Sequence, residues 1–285
     1  MSVMIRFLAE RGIDPVPHIN ILDIGAMDVG GDPWDPLVAS GAASVIGFEP
    51  IEAECEKLMA QGKPGRKFLP YAVGDGQTEP FHLCNHAFTS SLLKPNHEVM
   101  GHFSQLKELA QVEKVIDMPT QRLDDIAELS PIDFVKLDTQ GSEVTILENG
   151  QETLKNSVMV QSEASFVPLY HDQPLFAEVD QCMRRQGFLF NQFTGKGSRS
   201  FRPPAGKTEP LDFRTQWLWT DALFVRDFRS FDQLEPMMLL KGAIIAHAVY
   251  RGIDLAAHFL DAYDRRHGSQ LAADYYEGIR LKLIT

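Results

Sequence analysis

Two short stretches hold the residues best suited to chemistry: ILDIGAMDVGG at 21–31 and VIGFEP at 45–50. Each reads as an apolar strand, the first opening into a glycine-rich turn and the second ending on an acid, Glu49. A dinucleotide fingerprint needs its second glycine two residues after the first, but position 27 is methionine. A phosphate loop needs lysine and a hydroxyl residue after its last glycine. Gly25 and Gly30 have that interval, yet Gly31 and Asp32 follow. Asp23, Asp28 and Asp32 around this turn would repel a pyrophosphate strongly in a poorly solvated site. They would attract a ligand bearing an ammonium and a sulfonium, and S-adenosylmethionine has both. Glu49, at the end of the second strand, is placed to accept hydrogen bonds from the two ribose hydroxyls. The structural alternative is that the glycines only permit a tight turn and Glu49 caps a helix. The ordered pair, strand and glycine loop followed by strand and glutamate, favours the cofactor.

The elements around these stretches alternate. Strand-like runs at 19–24, 43–48, 67–73, 132–137 and 157–163 are interleaved with helical patterns at 51–61, 142–149 and 174–187. Continuous apolar strands separated by helices predict a doubly wound parallel sheet covered on both faces, with ligands at the carboxyl ends of its strands. Two more runs, 187–193 and 217–225, are expected to pair antiparallel at one edge, with Trp217 and Trp219 alternating between core and surface. Two segments interrupt the plan. Residues 80–93 look extended, and a helix is expected over 97–112 before VIDMPTQRLDDI (115–126) returns the chain to the sheet. The segment 194–216 is rich in Gly and Pro and carries Lys196, Arg199, Arg202, Lys207 and Arg214. It reads either as a flap over an anionic or polyol substrate or as a solvated surface loop. The expected organisation is an N-terminal helical segment over 1–18, a cofactor-binding domain over 19–228, and a helical extension over 229–285 that supplies packing or a homodimer contact.

Composition narrows the function. With 285 residues, 44% of them hydrophobic, the chain can bury a sizeable core; a net charge of −12 and a pI near 5.2 argue against nucleic acid or an anionic membrane surface as partner. The apolar N-terminus is broken by Arg6, Glu10 and Arg11, unlike a secretion signal, and no apolar run approaches the roughly 20 residues of a membrane helix. Cys55, Cys84 and Cys182 are odd in number and lack metal spacing, which suits a reducing cytoplasm.

Taken in order, DIGAMDVGG, GFEP, YAVGD (71–75), SSLLKPN (90–96), QRLDDI (121–126), IDFVKLDTQGSE (132–143), QSEASFVPLYHDQPLF (161–176) and LWTDALFVRD (218–227) resemble the successive blocks of the FkbM family of S-adenosylmethionine-dependent methyltransferases. The resemblance implies a class I methyltransferase fold, a Rossmann-like seven-stranded sheet with an antiparallel last strand. It also implies O-methylation of a sugar, polyketide or similar hydroxyl. It places Asp23, Gly25 and Glu49 in the cofactor site and Asp75 near the adenine. The first loop departs from the family, with Ala26, Met27 and Asp28 where an asparagine and an aromatic often stand. The cofactor-binding set is then Asp23, Gly25, Ala26, Asp28, Glu49, Pro50, Asp75 and Ser91, with Ser90 beside it.

Methyl transfer to oxygen needs alignment and a base for the hydroxyl proton. Asp138 at the end of the fourth strand, Glu163 at the end of the fifth, and His171 in the following loop are the candidates. Their structural alternatives are an N-cap for Asp138 and a surface position for His171. Glu143 reads as an acid favoured by a helix N-terminus. A divalent metal on Asp138, Glu163 and a histidine lacks a ligand signature and is not expected. Two other functions fit parts of the pattern: an NAD-dependent oxidoreductase, and a non-catalytic cofactor-binding module.

Overall fold

A computed structural model describes residues 2–27 and 30–284. Seven strands and a two-residue eighth build the main sheet: β1 (Ile19–Ile24), β2 (Ala43–Phe48), β3 (Arg66–Leu69), β4 (Phe134–Leu137), β5 (Met159–Ser165), β6 (Phe188–Phe193) and β7 (Trp217–Arg226), with Gly197–Ser198 as the short one. The order is β3, β2, β1, β4, β5, β7, and beyond β7 lie β6 and the two-residue strand Gly197–Ser198. Strands β1 to β5 run parallel, whereas β7 is antiparallel to both β5 and β6. This is the doubly wound sheet with an antiparallel last strand that the sequence predicts. The strand order reverses between β1 and β4, so the cleft for a ligand opens above their carboxyl ends.

Alternate residues of each strand enter two cores. Leu22, Ile24, Val135 and Leu137 point to a face covered by the helices Glu143–Glu148 and Phe176–Arg185. Ile19, Ile21, Phe134, Met159 and Leu223 point to the other face. There they meet the helix Val3–Glu10 and the C-terminal helices Pro236–Ala248, Ile253–His267 and Leu271–Arg280, through Met4, Leu8, Leu239, Ile244 and Phe259. No helix among the described residues is long and apolar enough to cross a membrane.

The insertion departs from expectation. In place of one helix over 97–112 there are two single turns, His97–Met100 and Leu106–Leu109. Gly101 follows the first, and Gln105, with φ of 64°, breaks the path into the second. Val112–Gln121 joins a separate three-stranded sheet, antiparallel to Thr78–Cys84 and parallel to Ala72–Val73, instead of returning to the main sheet. The expected strand 67–73 divides for the same reason: it leaves β2 after Leu69, and Pro70 has no amide hydrogen to continue that ladder. Trp217 and Trp219 also depart from the expected alternation. Residues two apart share a face, and it is Leu218 and Thr220 between and beyond them that are buried.

Candidate active site at the strand ends

On the face shared with the C-terminal helices, the apolar columns turn polar as they reach the cleft. Ile21 is followed two residues later by Asp23, Phe134 by Lys136, and Met159 by Gln161 and Glu163; in antiparallel β7, Asp221 precedes Leu223. Asp23 and Lys136 are direct neighbours in the β1–β4 ladder, as are Asp221 and Glu163 in the β7–β5 ladder. The result is a polar row at the base of a cleft of about 570 Å³, lined also by Gly25, Glu49, Pro50, Asp138 and Gln140.

Lys136 Nζ lies 3.4 Å from Asp23 Oδ1 and 3.4 Å from Asp138 Oδ2. Burial alone would lower the pKa of this ammonium, but Asp23, Asp138 and Asp221 around it outweigh that effect and raise it, so it stays cationic. Burial raises the pKa of Asp23 against the pull of Lys136, and that of Asp221, where Asp138 adds to the rise. Glu49 is buried at the end of β2 and accepts a 2.7 Å hydrogen bond from the Ile51 amide. Burial lifts its pKa to about 7, partly offset by that amide.

Gly25 makes the close approach of β1 and β4 feasible. Its φ is +78°, its amide donates to Phe48 O at 2.9 Å, and the Asp138 amide donates to Ile24 O at 3.0 Å. A Cβ at Gly25 would collide with the Asp138 carbonyl. The same backbone path carries Asp138 to the cleft, where 36% of its side chain remains exposed.

Gln140 joins the carboxylates into one network. It holds the left-handed conformation, φ 58°, which is uncommon for a residue other than glycine. Its Nε2 donates to Asp138 Oδ1 at 2.9 Å and to Glu163 Oε2 at 2.8 Å. Its Oε1 accepts from the Tyr170 hydroxyl at 3.1 Å, a donor shared with Thr89 O at 3.0 Å. Two acceptors facing the amide nitrogen and one donor facing its oxygen fix the amide's orientation. Glu163 is buried beneath Gln140, and burial together with the nearby Asp138 and Glu143 raises its pKa well above the usual carboxylate range. Asp138 is thus the carboxylate that meets the cleft, and Glu163 the one that anchors Gln140.

The other sequence candidates separate cleanly. Pro50 lines the cleft. Ala26 is buried against Cys55, Leu58 and Phe68, and its amide donates to Phe48 O at 2.9 Å. Ser91 lies beneath the cleft: its hydroxyl donates to Gln140 O at 2.8 Å and accepts from the Leu93 amide at 2.9 Å, while Ser90 reaches the lining. Asp28 lies outside the described residues. Asp75 is exposed on a turn, where Oδ1 accepts from the Gln77 amide at 2.9 Å, and the lining near β3 comes from Tyr71, Ala72 and Val73. His171 is exposed away from the cleft, its amide bonded to Lys94 O at 2.9 Å. Glu143 begins its helix but folds back, Oε1 accepting from the Thr139 amide at 2.9 Å, the Thr139 hydroxyl at 3.0 Å and the Gly141 amide at 3.2 Å. Asp32 is not a bare charge beside the turn: it forms an ion pair with Arg66 at 2.7 Å.

Lys136, Gln140, Gln161, Tyr170 and Asp221 lie within the family-like blocks, yet sequence reasoning missed their roles. For Lys136, Gln161 and Asp221 the signal is a polar residue two places from an apolar one near the cleft end of a buried strand; Gln140 and Tyr170 follow strands in loops and carry no such signal. Tyr250 also lines the cleft, from just beyond the helix Pro236–Ala248, and its hydroxyl donates to Gln161 Oε1 at 2.6 Å.

The cleft fits a cationic nucleoside better than a pyrophosphate. Apart from Asp32, which is paired with Arg66, its lining presents Asp23, Glu49, Asp138 and Asp221 against Lys136, whose charge is already shared by two of them. The buried orphan Asp23 Oδ1 has an ionic contact but no aligned hydrogen bond, and Glu49 stands at the end of β2.

A family model and a curated relative agree. The family model described as the methyltransferase FkbM domain matches residues 23–190, more than half of the chain. The 2-O-methyltransferase NoeI of Sinorhizobium fredii (strain NBRC 101917 / NGR234) is 30% identical over 186 residues, 59% of this chain and 70% of that protein. Among solved structures, magnesium protoporphyrin IX methyltransferase (ChlM) from Synechocystis PCC 6803 with bound SAM is 13% identical, covers 79% of this chain and 76% of its own, and has a TM-score of 0.36. Precorrin-6y C5,15-methyltransferase from Geobacter metallireducens GS-15 is 8% identical, with coverage of 78% and 88% and a TM-score of 0.37. The chain belongs to the FkbM methyltransferase family and is an S-adenosylmethionine-dependent methyltransferase.

Proposed function

We propose that the chain methylates a hydroxyl oxygen of a sugar, glycan or small natural product, with Asp138 as the proton acceptor. The observation that carries this reading is the network Lys136–Asp138–Gln140–Glu163, which offers one oriented, accessible carboxylate at the carboxyl end of β4. A relative named a 2-O-methyltransferase supports oxygen as the acceptor atom.

In this reading Glu49 accepts from the ribose hydroxyls, and Asp23 and the Gly25 turn face the charged end of the cofactor. When bound, S-adenosylmethionine would supply an electrophilic methyl carbon: an aligned oxygen bonds to it as its bond to the sulfonium breaks, releasing S-adenosylhomocysteine. The protein's part is alignment and proton removal. Gln140 fixes one oxygen of Asp138 and Lys136 lies near the other, which sets the carboxylate's direction. Asp138 takes the hydroxyl proton as the oxygen attacks, and Lys136 stabilises the surrounding negative row. Glu163, holding Gln140 from below, is a positioning residue.

The test is methyl transfer from labelled cofactor to a panel of sugar and natural-product hydroxyls, followed by S-adenosylhomocysteine release and location of the methyl group by NMR. A methyl ether on the product supports the reading. Label found only on nitrogen or carboxylate, or release with no hydroxyl acceptor despite cofactor binding, overturns it.

A further inference from the structure

We infer that the cleft continues into a second acceptor subsite, an aromatic ledge of Phe190, Phe193 and Trp217 that takes the apolar face of a further sugar ring. This rests on the hydroxyl-methylation reading above.

Phe193 ends β6 and lines the cleft, together with Gln192 and Thr194. Its ring packs 4.6 Å from Phe190 and 6.1 Å from Trp217, centroid to centroid. Phe166 supports both Phe193 and Trp217 from behind, at 5.6 and 6.0 Å. The three front rings belong to none of the buried clusters and stay 36–37% exposed. Contiguous exposed rings held in place by tilted and edge-to-face packing, rimmed by polar groups and joined to a cleft, mark a binding surface.

The rim identifies the occupant. A pyranose presents one face of C–H bonds and an edge of hydroxyls, so it needs an aromatic surface flanked by hydrogen-bonding groups. Gln192 and Thr194 stand on the cleft side, and Lys196 Nζ sits over one face of the Trp217 ring, 5.3 Å from its centre, leaving the other face and the edge to a ligand. An acyl chain would have no use for these. The ledge is also tied to the polar row, since the Thr194 amide donates to Asp221 O at 2.9 Å. A ring on the ledge would therefore adjoin one presenting its hydroxyl to Asp138.

The experiment compares acceptor KM for a monosaccharide and for an oligosaccharide bearing the same methylated unit, in the wild-type chain and in Phe193→Ala and Trp217→Ala. The wild type is expected to favour the oligosaccharide. Each variant is expected to raise the oligosaccharide KM roughly tenfold, with cofactor affinity by calorimetry unaltered and the fold retained by circular dichroism at the assay temperature despite a lower melting temperature, and Trp217→Phe is expected to restore part of the loss. Equal KM for both acceptors in the wild type, or unaltered oligosaccharide KM in both variants, overturns the ledge while leaving methyl transfer intact. So does a preference that follows an alkyl or aryl aglycone instead of added sugar units. Sedimentation showing a dimer that Trp217→Ala dissociates assigns the rings to a second copy instead. Absence of any methyl transfer by the wild type counts against the hydroxyl reading itself.

Discussion

Replacing Gly25 by alanine tests the closest backbone approach in the site. The new Cβ would lie 2.9 Å from the Asp138 carbonyl carbon and inside the contact distance of its oxygen. Two costs combine. Holding alanine at φ +78° costs about 1–2 kcal/mol. Relieving the overlap by moving β1 away from β4 resembles overpacking and costs roughly 1–3 kcal/mol more. Gly12→Ala serves as the control: its φ is +82° and nothing lies within 4 Å, so only the conformational cost applies. Urea denaturation should therefore find Gly25→Ala destabilised by roughly 2–5 kcal/mol and Gly12→Ala by about 1–2 kcal/mol. Because the displaced carbonyl belongs to Asp138, Gly25→Ala should also weaken cofactor binding by calorimetry, whereas Gly12→Ala should not. Equal stability losses in the two variants, with unchanged cofactor affinity, would refute the close-approach reasoning.

Further expectations concern charge. Burial raises the Glu49 carboxyl to about 7, above its value in the unfolded chain, so in the free protein this group lowers stability progressively as pH rises from about 4.5 to 7. Ribose hydroxyls prefer the ionised form, so cofactor affinity should increase from pH 6 to 8 and then level off; titration calorimetry on Glu49→Gln should find weaker binding with that pH dependence removed. Lys136→Met leaves Asp23 buried beside Asp138 and Asp221 without a cation, and should cost about 3–5 kcal/mol near pH 8. The raised pKa of Asp23 means that acidification neutralises it early, so the deficit in urea denaturation should shrink toward pH 5.

The fold was legible because buried parallel strands leave continuous apolar runs: INILDI, ASVIGF and DFVKL carry the sheet by themselves. The insertion was less so, since Gly101 and the left-handed Gln105 break a pattern whose apolar spacing still suggests one helix. Within the site, Asp23, Glu49 and Asp138 were readable from their places at strand ends. Gln140 was not, because its importance lies in a positive φ and in reaching Glu163, 23 residues away along the chain. Lys136 looked like one polar residue in an apolar strand. Its meaning comes from pairing in register with Asp23, which only the strand order supplies. His171 and Asp75 illustrate the converse: a suitable side chain near a strand end leaves the cleft when a turn directs it to solvent.

The central claim, that Asp138 removes the acceptor's proton, is tested most directly by single-turnover methyl transfer with Asp138→Asn, alongside calorimetry of S-adenosylmethionine binding. The asparagine preserves the shape and can still hydrogen-bond to Gln140. Cofactor affinity should stay within about threefold while the rate of S-adenosylhomocysteine formation falls by roughly 10²–10⁴. Transfer at the wild-type rate by a cofactor-saturated Asp138→Asn variant would contradict the claim.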